Sequence, residues 1–113
     1  MSAADYFETR LANDRKIYDA VARYLRSLGD ITTDFVSIGV LFKRSRTFAE
    51  LRPKRGGLSL AFLLSRTVED ERIARVLKTS AHRVAHYVDL TGPRDLTRDV
   101  KGWLAEAFAC STV

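Results

Sequence analysis

The feature that most constrains this chain is Gly56-Gly57, a glycine pair set between two segments, 47–54 and 58–65, in which apolar and polar residues alternate. A two-residue hairpin turn needs a positive φ at one or both central positions, and glycine adopts it without steric cost. The pair therefore predicts an antiparallel hairpin with Arg55 opposite Leu58, Pro53 opposite Leu60, Leu51 opposite Phe62 and Ala49 opposite Leu64. Register sorts the faces, because successive side chains of a strand point to opposite sides. One face is expected to bury these apolar residues together with Ile38, Val40 and Phe42 from the preceding run. The other is expected to carry Leu41, Lys43, Phe48, Glu50, Arg52, Lys54, Ser59, Leu63 and Ser65, too polar a set for a core.

Around this hairpin the same alternation predicts strands near 31–36 and 38–43, joined by a kink at Ser37, with a turn at Ser45-Arg46 leading into 47–54. Val84, His86, Val88 and Leu90 alternate with Arg83, Ala85, Tyr87 and Asp89, which adds a fifth strand ended by Thr91-Gly92-Pro93. Both ends of the chain change to helical spacing. Phe7, Leu11, Tyr18, Val21, Leu25 and Leu28 trace one stripe stopped by Gly29, either as one helix or as a short first turn and a helix from about Asp14. Leu96, Val100, Trp103, Leu104, Ala107 and Phe108 trace another, with Thr97 as its cap. Residues 66–80 contain neither Gly nor Pro and place Glu69, Asp70 and Glu71 together, which reads as a short helix with acids at its positive end. The expected fold is α+β: an antiparallel sheet of four to five strands with the N- and C-terminal helices packed on one face, a two-layer sandwich. At 113 residues it is one domain, 1–113.

Nineteen Lys and Arg against fourteen Asp and Glu give a net charge of +5, and its distribution matters more than its total. Residues 1–30 are neutral, 31–42 carry −1, 43–83 carry +7 and 84–113 carry −1. All of the excess belongs to the hairpins and the segment after them. This predicts a non-catalytic binding module whose basic sheet face meets an anionic ligand or nucleic acid through Lys43, Arg46, Arg52, Lys54 and Arg55. The competing reading is that cations on hairpin edges merely prevent edge pairing.

Two other functions are open on the sequence. A small enzyme would use a pocket near Glu50, Arg52 and His86, with His86 as base and Glu50 as acid. A structural or assembly domain would self-associate through Leu41, Phe48, Leu63 and Tyr87, as a homodimer in place of a monomer. No catalytic residue is assigned and no cofactor is expected. His82 and His86 are two ligands roughly 13 Å apart in a strand, too few and too distant for a metal. The single Cys110 excludes an intrachain disulfide, which fits a reducing, cytoplasmic setting, and no apolar run reaches membrane-spanning length.

The string GVLFKRSRTFAELRPKRGGLSLAFLL, followed by RIARVLKTSAHRVAHYVDL, Asp95, Trp103-Leu104 and Ala107-Phe108, resembles the bacterial family called domain of unknown function 5655. The family's motifs fall on Phe42-Lys43, Ala49 to Lys54, Leu58 to Leu60, His86 to Leu90 and Trp103 to Phe108, with Phe108 in place of the family's usual tyrosine. The resemblance implies a compact α+β domain and assigns no activity.

Overall fold

The computed structural model describes residues 2–8 and 10–111. The chain runs α1 (Ala3–Phe7), α2 (Ala12–Leu28), β1 (Thr32–Val36), β2 (Gly39–Lys43), β3 (Thr47–Lys54), β4 (Gly57–Leu64), β5 (Ile73–Ser80), β6 (Arg83–Leu90), a 3-10 turn (Pro93–Asp95) and α3 (Arg98–Cys110). The six strands form one antiparallel sheet in the order β1-β2-β3-β4-β6-β5.

The N-terminal stripe divides. Ser2 and Asp5 form a reciprocal capping box on α1, and Leu11, in extended conformation, starts α2 without a side-chain cap. Asn13, in the first turn of α2, donates its Nδ2–H to the Thr91 carbonyl at 2.7 Å. At the other end Thr97 Oγ1 accepts from the Val100 amide at 3.3 Å, the expected cap of α3.

The hairpin forms one residue earlier than the glycine pair suggests. Arg55 and Gly56 occupy the turn, Lys54 pairs with Gly57, Pro53 with Leu58, Leu51 with Leu60 and Ala49 with Phe62. Gly56 takes the positive φ, +87°. Gly57 is already strand, and a Cβ there would lie 2.1 Å from the Leu90 carbonyl oxygen of the neighbouring strand β6. The two glycines thus meet different demands, one conformational and one steric. Each partner shifts by two residues, so the sorting of faces survives.

Val40, Phe42, Ala49, Leu51, Leu58, Leu60, Phe62, Leu64, Val88 and Leu90 join α2 and α3 residues in one buried cluster. Tyr18 of α2 stacks on Phe42 with ring centroids 6.3 Å apart, and Trp103 of α3 stacks on Phe62 at 5.9 Å. Ile38 is 54% exposed, because it lies in the turn before β2 and belongs to neither face.

Two expectations fail for instructive reasons. The sheet has six strands instead of four or five, because 73–80 is a strand and not part of a helix. Asp70 closes a turn by accepting from the Arg72 amide at 2.9 Å, and β5 then pairs with β6. An edge strand pairs along one side only, and here seven of its eight residues are exposed, so it needs no apolar alternation to betray it. Phe48, expected on the open face, is 1% exposed and packs edge-on against Phe108 at 5.7 Å. The register slips between β2 and β3 there: Phe42 pairs with Ala49 but Lys43 with Thr47, which leaves Phe48 as the extra residue of a bulge. A bulge breaks the two-residue alternation and re-aims a side chain.

Candidate functional site

The charged residues of the open face neutralise one another. Lys43 pairs with Asp34 at 2.6 Å, Arg52 with Glu50 at 3.0 Å and Lys54 with Asp89 at 2.9 Å. Arg75 lies over the Tyr87 ring, 4.4 Å from its centroid. Of the five cations expected to act together, Arg52, Lys54 and Arg55 sit at the end of the sheet bearing the β3–β4 turn, and Lys43 and Arg46 at the opposite end. The structure does not assemble them into one patch.

Glu50 and His86 are likewise kept apart. Glu50 pairs across the sheet with Ala61, on the open face, and lines a shallow cleft of about 170 Å³ with Thr47, Leu63, Thr79 and Tyr87. His86 pairs with Phe62 on the other face, is fully buried and stacks on that ring at 5.3 Å. The sheet lies between them, so no pocket holds both.

The buried imidazole is fully bonded. Its Nδ1–H donates to the Val84 carbonyl at 3.0 Å, and its Nε2 accepts from the Val68 amide at 2.9 Å. This is the neutral tautomer acting as a latch on the loop between β4 and β5. Arg66 and Arg72 hold the same loop to α3: Arg66 is bidentate to Glu106 at 2.8 and 2.9 Å, and Arg72 reaches Asp99 and lies over Trp103. Arg72 also holds the Asp70 carboxyl down to about 2 through side-chain and backbone hydrogen bonds.

Burial, reinforced by nearby Arg66, pushes the His86 imidazole below its ordinary 6.5, against the opposing effect of its hydrogen bond to Val84 and of Glu106. The unfolded chain then binds a proton that the folded one refuses, so stability is full above pH 6.5 and falls as pH drops below it. Urea midpoints at pH 7.5, 6 and 5 are expected to fall in that order. His86→Phe is expected to lose this slope and, by leaving the Val68 amide without an acceptor, to cost about 1–3 kcal/mol at neutral pH. A slope that persists unchanged in the variant would assign the effect to another group.

A second cavity, of about 450 Å³, opens at the end of the sheet where β3 begins and β4 ends. Arg46 and Thr47, where the β2–β3 turn enters β3, form one wall, His82 and Arg83 of the β5–β6 hairpin another, and Cys110 of α3 with its cap Ser111 a third, over apolar ground of Phe48, Leu63, Leu64 and Ala107. Arg83 is steadied by donating to the Thr47 carbonyl at 3.3 Å. Among the described residues, no carboxylate lines this cavity. The C-terminal end of α3 works against an anion, since unsatisfied helix carbonyls amount to about half a negative charge. That term is reduced here: the Phe108 carbonyl accepts from Arg44 at 3.2 Å and from the Ser111 hydroxyl at 2.6 Å. Arg46 and Arg83 add two positively charged residues to the same lining.

Arg46 is legible in the sequence as a cation of the hairpin region, whereas no sequence pattern marks Arg83, His82 and Cys110 as its partners. They come from segments separated by dozens of residues and meet only because β4 and β6 are neighbours. Among the described residues, no cluster of three or more His, Cys, Asp or Glu is placed to hold a metal, and no helix is long and apolar enough to cross a membrane.

The family model described as "Domain of unknown function (DUF5655)" matches residues 3–111. No curated protein and no solved structure matches the chain.

Proposed function

Because the chain belongs to the DUF5655 family, a domain of unknown function, its role is read from its own geometry, and we propose that it is a non-catalytic binding module for a small anion with an apolar body. The observation that carries this reading is the cavity at the end of the sheet, with Arg46, Arg83 and His82 on its walls, Phe48, Leu63 and Leu64 beneath, and no acid among its described lining residues. Guanidinium groups suit bidentate contact with phosphate or carboxylate. An apolar floor adds affinity for whatever the anion is attached to. The site therefore lies at the end of the sheet, and Arg46 is the member of the expected cation set that belongs to it.

Phenyl phosphate and inorganic phosphate are the probes. Phenyl phosphate is expected to bind and to slow alkylation of Cys110, a lining residue of the same cavity; inorganic phosphate is expected to bind more weakly, lacking the apolar part. Arg46→Ala and Arg83→Ala are each expected to weaken binding by about tenfold, the loss of one charge-assisted contact of roughly 1.5 kcal/mol. Equal binding by the double variant would overturn the assignment. Salt-dependent binding of a single-stranded oligonucleotide, lost on Lys43→Ala and Arg52→Ala instead, would move the function to the sheet face and to nucleic acid.

A further inference from the structure

The two edges of the sheet differ. At β1, Phe35 is held under the rings of Tyr6 and Tyr18, at 5.5 and 5.6 Å, and Asp34 is paired with Lys43. At β5 no described residue gives such cover: every residue of the strand after Ile73 is exposed, Val76 by 40% and Leu77 by 46%. Register irregularities fall between Ile73 and Arg75 and between Lys78 and Ser80, so Arg75, Val76, Leu77 and Lys78 form four consecutive residues in regular pairing with β6, opposite Tyr87, His86, Ala85 and Val84.

Those partners set the faces. Arg75 and Leu77 stand with Tyr87 and Ala85 on the open side, and Val76 and Lys78 with His86 and Val84 on the other. Each face of this edge thus offers one cation and one apolar side chain. From Ile73 to Val88 the sequence contains no Asp or Glu. A strand's free edge presents the unpaired backbone N–H and C=O groups of alternate residues, and among the described residues no further strand pairs with them here.

We propose that β5 is a strand-addition site for an extended peptide of the pattern acid-apolar-apolar-acid. In that register the acids lie opposite Arg75 and Lys78, and the two apolar residues lie opposite Val76 and Leu77. Backbone hydrogen bonds supply affinity, and the side-chain pattern supplies selection. A second copy of this chain fits less well in the register that pairs the two apolar residues. Antiparallel self-pairing with Val76 opposite Leu77 sets Arg75 against Lys78 of the other copy, and like charges directly opposite each other repel. This inference is independent of the cavity and its ligand.

The test uses the full chain with two blocked peptides of identical composition, Thr-Glu-Val-Val-Glu-Thr and Thr-Val-Glu-Glu-Val-Thr, read by amide hydrogen exchange at residues 75–78. The first is expected to bind about tenfold more tightly than the second and to protect the outward-facing alternate amides of this stretch. The double variant Arg75→Glu/Lys78→Glu alters exposed side chains and is expected to reverse the preference toward Thr-Lys-Val-Val-Lys-Thr. Equal binding of the two acidic peptides would reduce the effect to net charge and overturn the proposal, as would protection of amides elsewhere only. A concentration-dependent dimer that protects residues 75–78 without peptide would overturn it in favour of self-pairing. Should the double variant fail to fold, the comparison of the two peptides on the unaltered chain still decides.

Discussion

Phe48→Ala is expected to destabilise the protein by about 3–5 kcal/mol, the usual cost of emptying a buried aromatic site. At roughly 4 °C per kcal/mol this lowers Tm by about 12–20 °C. The size of the effect is diagnostic, because Phe48 alternates with Ala49 and a regular strand would point it to solvent, where truncation costs about 0.5 kcal/mol or less. The bulge opposite Lys43 instead turns it against Phe108, leaving it 1% exposed. Phe108→Ala is expected to reproduce part of the loss, and the double variant to lose less than the sum, since the two rings share one contact. A near-neutral Phe48→Ala, measured by thermal and urea unfolding, would mean that the strand is regular and the ring exposed. The same ring floors the cavity at the end of the sheet, so this variant is also expected to weaken phenyl phosphate more than inorganic phosphate.

Gly57→Ala is expected to cost about 3 kcal/mol, at the upper end of what overpacking does. The new methyl would stand 2.1 Å from the Leu90 carbonyl oxygen and 3.0 Å from its carbon, and a backbone neighbour cannot swing aside as a side chain would. Relief requires β4 and β6 to part at Leu58 and Leu90, where both residues are core. Gly56→Ala meets open space and is strained only by its φ of +87°, so about 1–2 kcal/mol is expected. Comparable losses at the two glycines would contradict the turn at Arg55-Gly56. The contrast separates a conformational glycine from a steric one in two variants of a single dipeptide.

Much of the fold was legible because strand and helix periods differ and the segments that carry them are long enough to repeat. The strands at 32–36, 39–43, 47–54, 57–64 and 83–90 and the helix from Arg98 follow from alternation, stripe and cap. β5 did not, because an exposed edge strand is under no pressure to alternate, and the acids at 69–71 imitate a helix start while Asp70 in fact serves Arg72. His86 was readable as a packed residue from its side of the strand, but its bond to the Val68 amide is a contact across 18 residues that no local pattern announces.

The site divides in the same way. Sequence alone determined that the positive charge is concentrated in residues 43–83 and that the domain has two helical ends around a hairpin sheet. Apart from Phe48 at the bulge, it determined the two faces of the β3–β4 hairpin, since a two-residue period survives an error of one residue in the turn. Tertiary structure decided which cations are available. Pairing across strands brings Asp34 and Asp89 to Lys43 and Lys54, and the two-residue period of β3 sets Glu50 beside Arg52, whereas the adjacency of β4 and β6 brings Arg83 to Arg46 around a cavity without a described carboxylate. Charge is a property of residues, but its availability depends on which opposite charges the sheet register sets beside it.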